Sequence, residues 1–467
     1  MTIPYHFCGI GPAFMAAVCL TAAAPLTTES AIHTTYDMPV DWTQAGFTTS
    51  ISMGSPAQDL RAFVDWTWIG HFVLTTTCYG DPTGDGDKCL NRCQERFYQS
   101  DSHSFQPLPS ERSLHWNPNH FFFTNPIDAD IAREVVKVGP VEVKATVQAS
   151  NAQFDARQIM FPFAAVLGFS PVFSDDIKNA SIQSPFYQAY EAGAWNNTQT
   201  GFLYCYGTNR SPCNGHDGIQ TLGGYRQDLV HGEIEWHDII KFPLVNDIDF
   251  IYKPPIYNYW TLELSGFAIG DEELAVNKSA GGVFDHASYG RGAPVSQEGY
   301  KKLIETVNAT KTCLKPSDQP NNAQQDFYKF PNSALDGLEP LKYRFGASNR
   351  EWKIHPYDYV VPHPVEEEYS ILNVRAFGWD DFVIGNFGET FLIDKYIILD
   401  FGNPGSSSIR VGLADANYDP YPWPVDRKGY GSGTGQQRLG SFGAADAYNP
   451  RGHSQMPLGA KGKMTGL

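Results

Sequence analysis

The chain has 467 residues, of which 42% are hydrophobic and 14% aromatic, so it is long enough for two or three domains with large cores. Its formal net charge of −17 argues against nucleic acid and anionic membranes as partners. The same charge suits a protein that stays soluble near neutral or mildly acidic pH.

Residues 1–24 are typical of a secretory signal peptide. The stretch from Cys8 to Leu20 is largely apolar, and the small residues that end at Ala24 offer a cleavage site. This stretch is too short to span a bilayer, and the C-terminus is polar, so no membrane anchor is predicted. Residues 25–44 form a short N-terminal segment without Lys or Arg. We therefore expect a secreted, extracellular protein.

Six cysteines follow the predicted signal peptide, and an even number in an exported chain indicates three disulfides. These cysteines are Cys78, Cys89, Cys93, Cys205, Cys213 and Cys313. A short loop favours a bond between Cys205 and Cys213. A second short loop favours a bond between Cys78 and either Cys89 or Cys93. Cys313 then has no nearby partner, and a disulfide to a distant cysteine is expected. No Cys/His set has the spacing of zinc ligands, so neither a metal site nor a cofactor is predicted.

Four Asn-x-Ser/Thr sequons fit a eukaryotic secreted glycoprotein. The candidate glycosylation sites are Asn179, Asn196, Asn277 and Asn308. Chance matches to this short pattern are common, so each sequon alone carries little weight.

From about residue 45 to residue 414 the sequence is typical of β-strands. Short runs rich in Val, Ile, Phe, Tyr and Thr are separated by Gly, Pro, Asn and Asp. The clearest runs are the alternating Phe47, Thr49, Ile51 and Met53, then Glu134–Val138, Val141–Val147, Trp260–Ile269 and Phe391–Phe401. Helical pattern is confined to Gln297–Val307 and Pro185–Ala192. We therefore predict an all-β fold with few short helices.

Residues 415–467 differ in character from the rest of the chain. They contain Pro-Tyr-Pro-Trp-Pro, a Gly-rich run at 431–435 and scattered basic residues. Such a segment buries too little apolar surface to offset its ordering entropy, so a disordered Gly/Pro-rich tail is expected. The Gly-rich run is not a phosphate loop, because no strand precedes it and no helix follows it.

Two aspartates lie in matching frames 220 residues apart. Phe63–Asp65 and Val283–Asp285 are each the end of a short apolar strand, with the carboxylate at a turn. Two aliphatic residues and a glycine follow each frame, as Val166–Gly168 and Val383–Gly385. The glycine follows its aspartate by 103 residues in the first case and by 100 in the second. A unit used twice can bring two carboxyls face to face, where they share a proton and can activate a water molecule.

These frames and four further segments resemble the pepsin-like aspartic proteases over roughly residues 45–414. The further segments are Gly54–Gln58, Gly218–Gly224, Asn258–Leu264 and Trp379–Ala414. The resemblance implies a bilobal fold with a central cleft, in which an N-terminal β lobe, 45–230, and a C-terminal β lobe, 231–414, contribute one aspartate each. It also implies a peptide or protein ligand, catalytic roles for Asp65 and Asp285, and a monomer.

The family's paired Asp-Thr-Gly signature is altered in both copies. In the family the two threonines hydrogen-bond across the axis, which Trp66 and His286 cannot repeat. Thr67 replaces a glycine and adds a side chain where close approach is needed. Trp68 replaces a hydroxyl residue that supports the first aspartate, whereas Ser288 keeps that role open in the second copy. His286 is interpreted as a space-filling residue beside the cleft, and it joins Trp66, Thr67 and Ser288 among the candidate substrate-binding residues.

The flap that closes over the substrate in the family is also changed. Its tyrosine corresponds to Phe122, a further candidate substrate-binding residue, and its tryptophan partner corresponds to Phe72. A hydroxyl and an indole are thus lost together, and Phe is left facing Phe.

These departures lead to two hypotheses for the function. The first is a secreted homologue of the aspartic endopeptidases that is weakly active or inactive and binds peptide or protein in its cleft, because lost supporting groups reduce the rate even where the acids remain. The alternative is an active acid aspartic endopeptidase in which an atypical pair, Asp65 and Asp285, hydrolyses peptide bonds.

Overall fold

The computed structural model describes most of the predicted β region. The described residues are 35–42, 46–75, 96–111, 114–116, 127–150, 163–171, 183–205, 212–241, 259–276, 280–286, 292–315, 318–321, 325–376, 383–402 and 408–417. The predicted signal peptide and almost all of the predicted tail lie outside these ranges. All of the described residues belong to one compact unit, Ile32–Leu467.

Strands dominate these residues, which confirms the predicted all-β fold. Those of the first half of the chain are β1 (Tyr36–Trp42), β2 (Phe47–Met53), β3 (Gln58–Asp65), β4 (His71–Leu74), β5 (Gln106–Pro107), β6 (Leu114–Trp116), β7 (Ile127–Val138), β8 (Val141–Ser150), β9 (Ala165–Gly168), β10 (Gln199–Tyr204), β11 (Gly218–Leu222) and β12 (Val230–Asp238). Those of the second half are β13 (Trp260–Ile269), β14 (Glu272–Leu274), β15 (Gly281–Phe284), β16 (Ala293–Val295), β17 (Thr310–Thr312), β18 (Phe327–Pro331), β19 (Leu341–Phe345), β20 (Trp352–Ile354), β21 (Val360–Pro362), β22 (Tyr369–Leu372), β23 (Val374–Ala376), β24 (Val383–Phe387), β25 (Lys395–Asp400) and β26 (Arg410–Ala416).

Helices are short. The α-helices of the described residues are α1 (Pro185–Glu191), α2 (Gln297–Thr306), α3 (Pro356–Tyr359) and α4 (Glu389–Leu392). The 3-10 helices there are Gln99–Asp101, Gln227–Leu229 and Asn332–Gly337. In the part of the chain that the structure covers, every helix is too short or too polar to cross a bilayer.

One large sheet connects the two halves of the chain. Its strands follow the order β12-β26-β25-β10-β11-β1-β2-β3-β9-β4-β8-β7-β5, with β6 paired to β7. The late strand β25 pairs antiparallel with β10, so the two ends of the described chain share this sheet. A second sheet has the order β20-β19-β13-β15-β24, with β14 beside β13, and a third has the order β17-β18-β22-β21. The predicted lobe boundary at residue 230 falls where β12 begins, within the shared sheet, and it remains a prediction.

Local sequence accounts for most of these elements. In β2 the alternating Phe47, Ile51 and Met53 are buried, as a period of two requires for a strand with one face on the core. The two predicted helices are confirmed as α1 and α2. Each begins after a serine whose Oγ accepts a backbone N–H bond of 3.0 Å from the first turn, namely Ser184 and Ser296.

The run Phe391–Phe401 is only partly a strand. It begins inside α4, and β25 starts at Lys395. The carbonyl of Gly388 accepts bonds from the N–H groups of Phe391 and Leu392 at 2.9 and 3.0 Å, which closes a helical turn. Because this turn is buried on all sides, its apolar composition does not differ from that of a buried strand.

Two further predictions need correction. The predicted tail begins at residue 415, but β26 continues to Ala416 and pairs with β12 there. Cys205 and Cys213 form the predicted disulfide. Cys313, for which a distant partner was predicted, is an exposed free thiol at the end of β17, and it has no disulfide partner among the described residues. The remaining cysteines, Cys78, Cys89 and Cys93, lie outside them.

Candidate functional site

Asp65 ends β3, and a second strand passes directly beside it. β9 pairs parallel with β3 and antiparallel with β4, so that Asp65 lies opposite Gly168. A Cβ atom on Gly168 would lie 2.2 Å from the carbonyl oxygen of Trp68 and 2.3 Å from that of Gly70. Only glycine therefore allows the backbone of β9 to pass so close to the turn that carries the carboxylate.

Asp285 directly follows β15, and a parallel strand again lies alongside. β15 pairs parallel with β24, and Phe284 lies opposite Phe387. The next residues of the two strands are Asp285 and Gly388. Gly388 is therefore next in line with Asp285, whereas Gly385 lies three residues earlier and opposite Gly282. Gly388 follows Asp285 by 103 residues, the separation found in the first unit.

One oxygen of the Asp65 carboxylate receives three hydrogen bonds. Oδ1 accepts from the backbone N–H and the hydroxyl of Thr67, at 2.7 and 2.8 Å, and from the backbone N–H of Trp68 at 3.0 Å. Burial raises the pKa of Asp65 above its ordinary value, and these bonds act against that rise because they favour the ionised form. Asp65 is thus a buried carboxyl with a complete set of donors on one side.

Trp66 and His286 bring the two aspartate turns together, because each directly follows one of the aspartates. Their ring centroids lie 4.3 Å apart, and both side chains are fully buried. Phe202 contacts both rings, at 5.2 Å from Trp66 and 5.1 Å from His286, and Phe47 lies 5.0 Å from His286. Full burial argues against the substrate contact predicted for Trp66 and His286. It also keeps the indole of Trp66 inside the protein rather than in a cleft.

His286 is held as a neutral ring. Burial lowers its pKa to about 3 because the charged imidazolium would lose its hydration among aromatic rings. Neither ring nitrogen has a hydrogen-bond partner among the described residues. A fully buried imidazole with so low a pKa is a weak base, so the geometry does not support a general-base role for His286.

Comparison with known proteins gives the same assignment as the geometry. The sequence matches the eukaryotic aspartyl protease family over residues 46–416. The chain belongs to this family. It is 45% identical over 408 residues to the aspartic protease-like protein pynH of Aspergillus niger, covering 85% of this chain and 96% of that protein. It is 41% identical over 403 residues to the aspartic protease-like protein pytH of Aspergillus terreus, covering 81% and 93%. It is also 41% identical over 397 residues to a probable secreted aspartic protease of Arthroderma benhamiae, covering 81% and 92%.

Comparison with the family signature explains one departure at the first aspartate. The hydroxyl that the resemblance places at the position of Trp68 is supplied one residue earlier by Thr67, which donates directly to Asp65. Trp68 is buried and packs against Phe72, with 5.5 Å between ring centroids. An aspartic protease turn thus keeps a hydroxyl donor to its carboxylate although the signature around it has changed.

The two halves of this family member are also joined beside the first aspartate. The backbone N–H of Phe169 donates to the carbonyl of Asp65 at 2.7 Å. The indole Nε1 of Trp260, at the start of β13, donates to the carbonyl of Phe169 at 2.8 Å. A strand of the second half is therefore bonded to the turn that follows Gly168.

The remaining candidate residues divide by position. Phe122 and Ser288, the candidate glycosylation sites Asn179 and Asn277, and the three cysteines named above lie outside the described residues. Asn196 and Asn308 are described, and both side chains are exposed. Sequence reasoning missed Gly388, Phe202 and Gln220, a buried residue bonded to Trp66. The common separation of 103 residues could have identified Gly388, whereas no sequence signal points to the other two.

Proposed function

We propose that this protein is an aspartic-type endopeptidase of low turnover, in which Asp65 and Asp285 activate one water molecule against a bound peptide bond. The observation that most supports this function is the bonding of Asp65, whose Oδ1 keeps three donors including a hydroxyl. These donors hold the carboxyl of Asp65 in one orientation and favour its ionised form. The equal separation of each aspartate from its strand-crossing glycine is the second support.

The chemistry requires one proton shared by two carboxyls. The three donors keep Oδ1 of Asp65 an acceptor, so the shared proton belongs on Oδ2 of Asp65 or on Asp285. Burial raises the pKa of Asp65, and this keeps one proton on the pair at mildly acidic pH. The ionised member then takes a proton from water as the water oxygen attacks the carbonyl carbon, and the protonated member donates to the carbonyl oxygen.

The low turnover follows from the contact between the two turns. Packing between Trp66 and His286 stands where the family has a hydrogen-bonded pair. Ring packing defines a separation less sharply than a directional bond does, and a displacement of about 1 Å at a reacting centre costs about 10²-fold in rate.

A second candidate function is a peptide-binding or protein-binding protein without turnover. The same replacement of the paired threonines by Trp66 and His286 favours it. In that case the cleft implied by the fold would still hold an extended chain, but the carboxyls would not share one water molecule.

A cleavage assay separates the two functions. Purified protein is incubated with a denatured protein substrate from about pH 3 to about pH 7, with and without pepstatin, beside an Asp65→Asn variant. We expect slow, pepstatin-sensitive cleavage with an optimum at mildly acidic pH and its loss in the variant. Cleavage that survives in Asp65→Asn, or no cleavage at any pH, overturns the peptidase proposal. Saturable binding of a fluorescent peptide without cleavage would then establish the second candidate.

We propose further that the protein is a secreted, monomeric glycoprotein. Several relatives are named secreted aspartic proteases, among them LUC8 of a Fusarium species and FUS4 of Gibberella moniliformis. Asn308 is exposed where α2 ends, in a left-handed conformation with φ of 48°, and Asn196 is exposed before β10. Intact mass before and after endoglycosidase treatment tests the modification. Sedimentation tests the monomer.

A further inference from the structure

The buried side chain of Gln220 is hydrogen-bonded to Trp66, the residue between Asp65 and its donor Thr67. The indole Nε1 of Trp66 donates to Oε1 of Gln220 at 3.1 Å, and both side chains are fully buried. Gln220 is fixed in turn, since its Nε2 donates to Oγ1 of Thr200 at 2.6 Å and to the carbonyl of Gly201 at 3.3 Å. Every polar group of the glutamine amide is therefore used.

The position of Gln220 makes it a rigid support. It lies in β11, between β10 and β1, inside the large sheet. Its cross-strand partner in β10 is Phe202, the ring that contacts both Trp66 and His286. Trp66 is thus held by a hydrogen bond from one strand and by ring packing from the next.

We propose that Gln220 is a positioning residue, which sets the distance between the Asp65 turn and the Asp285 turn by fixing the Trp66 indole. This inference rests on the proposed peptidase function for its kinetic consequence, but not for its structural one. Trp66 lies between Asp65 and the donor Thr67 in the chain, so the position of Trp66 affects the positions of both neighbours. Through its ring contact it also sets where His286, and hence Asp285, comes to rest.

The alternative is that Gln220 is an ordinary buried amide, hydrogen-bonded because every buried polar group must be. The two readings differ in their consequences. Loss of an ordinary buried amide lowers stability alone, by about 1–3 kcal/mol. Loss of a positioning amide also moves the ring of His286 and the carboxyl pair.

The test compares Gln220→Met with a matched control, Gln188→Met. Methionine keeps the length of the side chain and removes its hydrogen bonds. Gln188 is also a buried amide with every group bonded, to the backbone of Thr146 and of Gln183, and none of these bonds goes to an aspartate turn. At a pH where circular dichroism shows both variants folded, we expect Gln220→Met to lower kcat by about tenfold to 10²-fold with KM within about twofold. The control should keep kcat.

A second variant tests the bonding itself. A protonated glutamic acid matches glutamine in shape, accepts through its carbonyl and donates through its O–H. Burial raises the pKa of a carboxyl, so Gln220→Glu should be protonated and near wild type at about pH 5. At that pH its kcat should stay within about twofold of wild type while that of Gln220→Met falls. An equal fall in kcat for both variants at about pH 5 overturns the proposal.

A readout without catalysis separates failure of this inference from failure of the proposed function. The NMR signals of the His286 ring, labelled with ¹³C-histidine and assigned through a His286→Phe variant, report directly on the contact between Trp66 and His286. We expect them to move in Gln220→Met and to stay in place in Gln188→Met. If wild type does not cleave but these signals move, the peptidase proposal fails and the positioning role stands. If they do not move, Gln220 is only a structural amide.

Discussion

At the scale of single residues, Thr67 shows how an altered signature can keep its chemistry. The sequence indicates a loss twice over, because a glycine becomes threonine and the next hydroxyl position becomes tryptophan. The structure shows that the two changes are linked, since the added hydroxyl bonds to the carboxylate that the lost one would have supported. Sequence reasoning missed this because it compared positions, whereas a hydroxyl can reach the same oxygen from a neighbouring residue.

Removal of this hydroxyl should raise the pKa of Asp65. Thr67→Val keeps the shape of the side chain and deletes a bond to a charged acceptor, which contributes about 1.5–3 kcal/mol. Because the bond favours the ionised form, its loss should raise the pKa of Asp65 further. The acidic limb of the pH–rate profile should then move to higher pH, and kcat/KM should fall about tenfold.

Thr49→Val is the matched control for this prediction. Its hydroxyl is also buried, but it donates to the carbonyl of Pro39 at 2.8 Å instead of a carboxylate. The control should lose a similar amount of stability without any change in the pH profile. Equal pH profiles for wild type and Thr67→Val would show that the hydroxyl does not act on the acid.

At the scale of elements, the site depends on two places where one strand passes beside an aspartate. At Gly168 the atoms that a side chain would meet belong to backbone and not to flexible side chains. Gly168→Ala should therefore lower the free energy of unfolding by about 4 kcal/mol or more, a loss that single substitutions rarely reach. Gly232→Ala is the control: its φ is +75°, but nothing lies within 4 Å of the added carbon. We expect it to cost about 1–2 kcal/mol. Denaturant titration measures both, and similar values would refute the tight contact.

Sequence patterns predicted elements well where local chemistry decides them. Helix α2 and strand β13 were located to within a residue because a serine cap and a bounded apolar run leave one interpretation. The register of β15 against β24 was not predicted, because Gly385 and Gly388 both follow apolar residues and only the neighbouring strand selects between them. The ring contact of Trp66 with His286 joins residues 220 apart, and no local pattern encodes it.

At the scale of the whole molecule, two buried histidines tie the stability of the fold to pH. Burial lowers the pKa of His286 to about 3 and that of His71, whose Nε2 lies 3.4 Å from the sulfur of Met53, to about 4. Both are neutral in the folded state at a pH where the unfolded chain already binds protons. Stability should therefore be fully present above the unfolded pKa of about 6.5 and fall as pH drops below it.

The size of this loss is large enough to limit the working range of the protein. Between about pH 6.5 and about pH 4 each histidine contributes a loss of about 3 kcal/mol, or about 6 kcal/mol for both. The raised pKa of Asp65 acts in the opposite direction, since a buried carboxyl is relieved by protonation as pH falls. In strong acid both histidines must bind protons inside the fold, so the protein should unfold there.

The His286→Phe variant isolates the contribution of His286, which lies between the two aspartate turns, to the pH dependence of stability. Phenylalanine fits a cage formed by Trp66, Phe202 and Phe47 and cannot bind a proton. At about pH 7 the variant should unfold at nearly the denaturant concentration of wild type, and at about pH 4 it should be more stable by about 3 kcal/mol. His231→Phe, at an exposed position of β12, should run parallel to wild type at every pH. If the stability of His286→Phe also ran parallel to that of wild type at every pH, the wild-type imidazole would bind a proton in the folded protein at little cost. Acid sensitivity would then have to arise away from the contact between the two aspartate turns.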